Sequence, residues 1–232
     1  MPNNKYKYLY FDLDRTLWDF EKNMHETMIF LFNTYLSDKT EADACTFISE
    51  FNKIHEMLWE KYRLGQIKKN GLREMRFFLT LKKLGITNKE LSVFLNTEYL
   101  NICPAKTHLF PGTLEVLEYL NEKYALYILT NGFIETQERK LKNSGIDKFF
   151  IKIFSSELIG YNKPNKKIFT YAINYLNAKK AECIVIGDDL VTDIKGAKDY
   201  GLDQVFFNPF KQVVKIKPTF EISNLKELIT IF

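Results

Sequence analysis

Cysteine is scarce in this sequence. The 232 residues include three, Cys45, Cys103 and Cys183. The number is odd and no two are close together, so neither a disulfide framework nor a cysteine metal knuckle is encoded. A reducing, cytoplasmic setting is expected. Long apolar runs are also missing: no stretch approaches the roughly 18 uninterrupted apolar residues of a membrane span. The opening MPNNKYKY lacks the apolar core of a signal peptide. Nor is there a large excess of one charge. The net charge is +4, and the basic clusters IKKNGLR and KPNKK are short. A solvated lysine-rich surface is therefore expected and no nucleic-acid polymer as partner. His25, His55 and His108 show no ligand spacing. Internal repeats and low-complexity segments are absent. What the chain does have is apolar mass: 46% of it is hydrophobic, with 20 Phe and 13 Tyr, enough for the packed core of a globular protein.

The pattern along the chain divides it. YKYLYF (6–11) reads as a buried strand, because its β-formers are nearly continuous. Between about Glu21 and Asn101 no further strand is convincing. ETMIFLFNTYL, FISEFNKIHEMLWEKY, LREMRFFLTLKKLG and KELSVFLNTEYLN all space apolar residues three and four apart, which predicts four helices. Pro111 and Gly112 then introduce another helix. After it, strand and helix alternate: ALYILT (125–130), IETQERKLKNSG, IKIFSS, NKKIFTYAINYLN, CIVIGDD, VTDIKGAKDYG, DQVFFN. This rhythm predicts a Rossmann-like α/β core, a doubly wound parallel sheet with helices on both faces. The core comprises residues 1–17 and 106–232, and an inserted all-helical cap spans 18–105. The insert leaves just after the first strand, so it is placed to act as a lid over the carboxyl ends of the strands, where open α/β sheets bind ligands.

Those strand ends carry the polar residues of interest. The first strand ends in Asp12 and Asp14. The strand at 125–130 ends in Thr130, Asn131 and Gly132. Lys163 and Pro164 follow the next strand, and CIVI ends in Gly187, Asp188 and Asp189, with Asp193 a little later. In this order DLDRT, LTNG, KP and GDDLVTD resemble the four motifs of the haloacid dehalogenase (HAD) superfamily, with the helical cap inserted after the first. LTNGF…TQERKLKNSGI, KPNKKIF and YRLGQI further resemble its 5′-nucleotidase-like subgroup of pyrimidine nucleotidases.

The residues suit such chemistry. An aspartate is ionised at neutral pH and needs no base to become a nucleophile. The resemblance implies that Asp12 is the nucleophile and a metal ligand. Asp14 would be general acid and then base, with its backbone carbonyl on the metal. Thr130 and the Asn131–Gly132 loop would hold phosphate oxygens, Lys163 would neutralise the phosphoryl group, and Asp188 would bind Mg²⁺. Asp193 would orient Lys163 or a metal-bound water from behind. Asp189 belongs to the same outer shell, with helix capping as its other reading. Two acids and a phosphate dianion carry about four negative charges, which Mg²⁺ and Lys163 largely offset.

The implied activity is a Mg²⁺-dependent phosphomonoesterase acting through an aspartyl-phosphate, on a nucleoside 5′-monophosphate or another small phosphorylated metabolite. Neither polymer nor membrane is an expected partner, and the chain is expected to be a monomer or small homo-oligomer. A phosphosugar phosphatase or mutase would share every catalytic residue. A haloacid dehalogenase would need neither Asp14 nor Asp188, and a non-catalytic binding module would need none of the set. For Arg15 two readings stay open, a substrate contact or a solvent-facing side chain. Trp18, Trp59 and Tyr62 are candidates to meet the leaving group; for Trp18 the alternative is an anchor for the hinge, and for Trp59 and Tyr62, which share a helix face, it is core packing.

Overall fold

The computed structural model describes residues 5–213 and 215–232. The opening segment in which no signal-peptide core was found lies partly outside them, at residues 1–4. The chain forms two compact units, residues 1–20 with 107–232, and residues 21–106.

The first unit is built on a six-stranded sheet with every pairing parallel: β1 (Tyr8–Phe11), β2 (Ala125–Thr130), β3 (Lys152–Ser155), β4 (Cys183–Gly187), β5 (Asp203–Phe207) and β6 (Phe220–Ile222), in the order β3-β2-β1-β4-β5-β6. β1 is central because it is buried on both faces. Tyr10 lies beside Tyr127 and Val185 and points into a cluster completed by Leu129, Phe154, Ile168, Phe169 and Ala197. Leu9 and Phe11, pointing the other way, are fully buried as well. At ~25 cal/mol per Å² of apolar surface, aromatic residues of this size supply much of the driving force for closing the sheet.

Two expectations need correction here. β6 was not anticipated; at three residues, TFEISN offers too little alternation to reveal it. VTDIKGAKDYG, expected as a single helix, is one turn of π-helix (Leu190–Lys195) followed by a short α-helix (Gly196–Tyr200). π-turns of this kind occur at functional sites because they re-aim a side chain.

The second unit is all-helical: α2 (Ala44–Arg63), α3 (Lys69–Lys83), α4 (Lys89–Ile102) and most of α1 (Phe20–Tyr35). Phe47, Phe51, Phe77 and Leu95 form its interior with no exposure. Asp43 and Asn88 cap α2 and α4 by accepting from the N–H groups of Thr46 and Leu91, which satisfies donors that a helix start leaves open. Among the described residues no helix is long and apolar enough to cross a membrane.

Candidate active site

The carboxyl ends of β1, β2 and β4 meet at one edge of the sheet. From β1 the chain runs through Asp12, Leu13 and Asp14 into a tight turn. The N–H groups of Leu17 and Trp18 both donate to the Leu13 carbonyl (3.0 and 2.9 Å). Arg15 reverses the chain at φ 63°, a region uncommon for a long side chain. The turn keeps both acids at the sheet edge but sends their side chains to different partners.

Asp12 faces Lys163. The lysine is 2% exposed, and its Nζ donates to Asp12 Oδ1 (2.7 Å), the Leu129 carbonyl (2.7 Å) and Asp193 Oδ1 (2.6 Å). An ammonium has three protons and all three are used. The Asn131 side chain fixes the lysine's main chain, accepting from Lys163 N at 2.7 Å and donating to its carbonyl at 3.1 Å. Burial by itself would lower the lysine's pKa, but the carboxylates of Asp12 and Asp193 outweigh it and hold the ammonium charged.

Asp193 is carried by the π-turn. Asp189 caps that turn, accepting from the N–H groups of Val191 and Thr192 at 2.8 Å, and its own N–H donates to Asp193 Oδ2 at 3.2 Å. Gly187 makes room, since a Cβ there would run into the Asp193 carboxylate. Asp188 accepts from the Thr16 hydroxyl at 3.1 Å. Asp12, Asp188 and Asp193 each bring an oxygen within 4.8 Å of the others. Burial, then repulsion from Asp12 and Asp193, pushes Asp188 well above the usual carboxylate range. Burial, opposed by Lys163, brings Asp193 to about 7. Asp12 is raised by burial, with Lys163 opposing and Asp14 adding. Among the described residues, Lys163 is buried with the three acids and the Arg15 guanidinium acts on Asp188 as a weaker influence than burial and the neighbouring acids, which leaves the cluster acidic. An all-oxygen donor set with unbalanced negative charge fits a small hard dication such as Mg²⁺.

Asp14 lies in a different environment. Its Oδ1 accepts from Lys140 Nζ at 2.5 Å and its Oδ2 from Gln137 Nε2 at 3.0 Å. Gln137 and Lys140 come from α5 (Ile134–Asn143), and both are buried. The same amide also donates to Thr130 Oγ1 at 2.8 Å, which accepts from Gly132 N at 3.0 Å as well. With both acceptor positions filled, the Thr130 hydroxyl keeps its proton to donate. A Cβ at Gly132 would fall on the Gln137 amide.

The structure thus gathers Asp12, Asp14, Thr130, Asn131, Gly132, Lys163, Asp188, Asp189 and Asp193 at one edge of the α/β unit. Arg15 is half-buried, with its guanidinium 4.7 Å from the Phe20 ring centroid. Trp18, for which a contact to the leaving group and a role as hinge anchor are both open, is enclosed, with no exposure and the Lys140 ammonium 4.4 Å from its ring centroid. Trp59 and Tyr62 belong to the helical unit, where they are half-buried and packed edge to face at 5.6 Å. Thr16, Gln137 and Lys140 were not anticipated. For the last two a signal was available: with Leu141 they occupy the buried stripe of α5, where apolar residues would be expected.

A family model for haloacid dehalogenase-like hydrolases matches residues 6–201. The HAD-hydrolase YfnB of Bacillus subtilis is 32% identical over 230 residues, 97% of this chain and 94% of that one. The pyrimidine 5′-nucleotidase YjjG of Escherichia coli is 29% identical over 227 residues, 97% and 96% of the two chains. A crystal structure of YfnB bound to magnesium matches with a TM-score of 0.87 at 30% identity, over 98% of each chain. With a family match across most of its length and relatives that align nearly end to end, this chain is a hydrolase and belongs to the haloacid dehalogenase-like family.

Proposed function

We propose that the protein is a Mg²⁺-dependent phosphomonoesterase of small metabolites, with pyrimidine nucleoside 5′-monophosphates as its preferred substrates. The observation that carries the mechanism is the separation of the two acids. Asp12 is paired with Lys163 inside the acidic cluster, while Asp14, two residues on, is paired with Lys140 outside it. Two carboxylates in different environments suit two roles. The substrate class is supported by the likeness to YjjG along nearly the whole chain.

In the first step an Asp12 carboxylate oxygen attacks phosphorus, the bond to the ester oxygen breaks, and Asp14 gives its proton to that oxygen. An aspartyl-phosphate on Asp12 results. In the second step Asp14, now a carboxylate, takes a proton from water as the water oxygen attacks phosphorus. Inorganic phosphate leaves and Asp12 is regenerated. The Thr130 hydroxyl and the Asn131–Gly132 loop hold phosphoryl oxygens, Lys163 balances their charge, and Asp193 keeps Lys163 in place. The Asp12 and Asp188 carboxylates and the Asp14 backbone carbonyl would hold Mg²⁺, which when bound supplies positive charge against the phosphoryl oxygens. A cytoplasmic setting accompanies this reading, supported by a free, exposed thiol at Cys45.

The test is phosphate release from a panel of nucleoside monophosphates and hexose phosphates, with Mg²⁺ and with EDTA. Pyrimidine 5′-monophosphates should give the highest kcat/KM, and EDTA should abolish turnover. A preference for hexose phosphates would overturn the substrate class; full activity in EDTA would overturn the metal-dependent mechanism.

A further inference from the structure

We propose that Lys140, with Gln137, is the positioning residue for proton transfer by Asp14; the inference rests on the phosphomonoesterase reading above. Lysine is among the residues most rarely buried without a partner, yet Lys140 is 5% exposed. The acid that pairs with it is Asp14, at 2.5 Å. The ammonium lies 4.4 Å from the ring centroid of Trp18 and 5.8 Å from that of Phe20. The electron-rich ring faces attract a cation and leave it few directions in which to move. The aromatic residues that follow the first motif therefore act on the acid through the lysine.

The two contacts act together. Lys140 takes one oxygen of Asp14 and Gln137 the other, so the carboxylate is fixed in rotation as well as in position. Gln137 is fully buried, and it also donates to the Thr130 hydroxyl. One amide thus sets the distance between the group that moves the proton and a group that grips the phosphoryl oxygens. A structural ion pair has no need of this link.

In chemical terms the proton that moves is the one on Asp14. When the ester bond breaks, the Asp14 proton passes to the leaving oxygen, and the carboxylate that remains is received by Lys140 and Gln137. In that orientation it takes the proton of the attacking water. The pair therefore acts in both steps without exchanging a proton itself.

The experiment compares two esters. Departure of p-nitrophenolate needs no proton, whereas departure of the 5′-alkoxide of cytidine 5′-monophosphate does. Acid–base catalysis is worth roughly 10²–10⁴-fold, and misplacing a reacting group by about 1 Å costs on the order of 10²-fold. Lys140→Met should lower kcat/KM for the alkyl ester by about 10²-fold and for the aryl ester at least tenfold less. It should lower kcat on both, because water activation is common to them. Lys140→Arg, which keeps the charge, should recover most of the alkyl-ester loss. Gln137→Leu should show the same selective loss, and serves in place of Lys140→Met if that variant does not fold. Equal losses on both esters in a variant that melts cooperatively, or no loss on the alkyl ester, would overturn the positioning role. If the unmodified protein cleaved neither ester, the phosphomonoesterase reading would fall and this role with it.

Discussion

Lys163→Met is the most direct test of how the α/β unit tolerates its buried acids. The methionine nearly preserves volume, so no cavity complicates the result. The change strands three acceptors: Asp12 Oδ1, Asp193 Oδ1 and the Leu129 carbonyl. Breaking a buried ion pair by removing one partner costs about 3–5 kcal/mol. The orphaned carbonyl adds to this, at about 1–3 kcal/mol for an unsatisfied buried acceptor. Relief comes from Asp193, which burial already brings to about 7 and which readily takes up a proton. A net loss of about 3–5 kcal/mol remains. For a chain of this size roughly 2–4 °C of Tm accompanies each kcal/mol, so a fall of about 6–20 °C is expected. Thermal unfolding in EDTA, followed by circular dichroism, measures it. Adding Asp193→Asn to Lys163→Met removes a carboxyl that must otherwise take up a proton or stay charged, and should restore about 1 kcal/mol, since groups in one network couple by about 0.5–3 kcal/mol. A loss below about 1 kcal/mol, or a double variant weaker than the single one, would refute the claim that this lysine compensates the acids.

Gly187→Ala would drive a Cβ into a carboxylate that Lys163 and the Asp189 N–H hold in place. Overpacking of this kind costs about 1–3 kcal/mol, and displacement of Asp193 should carry phosphatase activity down with it. Unchanged melting and turnover would show that the carboxylate is free to move aside. The cysteines give a check on burial: Cys45 is exposed, Cys103 and Cys183 are buried, and burial, with the Glu182 charge adding, pushes the Cys183 thiol up to about 12. An aromatic disulfide reagent at pH 8 should therefore titrate one thiol per native chain and three in denaturant. Rapid reaction of a second native thiol would contradict the packing.

Much of the fold could be read in advance because the relevant signals are local. Continuous β-formers before Asp12, the helical period within each of the four segments of the insert, and the strands and helices that alternate from Ala125 to Phe207 each show in a short window of sequence. β6 and the π-turn could not be read, the first because three residues carry no period and the second because VTDIKGAKDYG keeps a helical pattern while its hydrogen bonds shift. At the site, the acids and Lys163 were legible as polar residues at strand ends. Their partners were not. Lys163 reaches Asp12 across 151 residues and Lys140 reaches Asp14 across 126, and nothing within either segment specifies the pairing. For Trp18 the sequence leaves a ligand contact and a hinge anchor both open, because an aromatic residue beside a catalytic motif suits either; the fold buries it against a lysine.

The two lysines give the tripeptide Asp12-Leu13-Asp14 its logic. Alternation along an extended chain would point both acids the same way, and two carboxylates sharing one environment would raise each other's pKa and compete for one counterion. The turn that follows, closed on the Leu13 carbonyl and reversed at Arg15, breaks that alternation. Asp12 then shares Lys163 with Asp193 and sits among acids that favour a dication, while Asp14 pairs with Lys140. Leu13, between them in sequence, is wholly buried and anchors the turn through its carbonyl. A change that relaxed this turn would therefore act on both acids at once, even though neither acid had been altered.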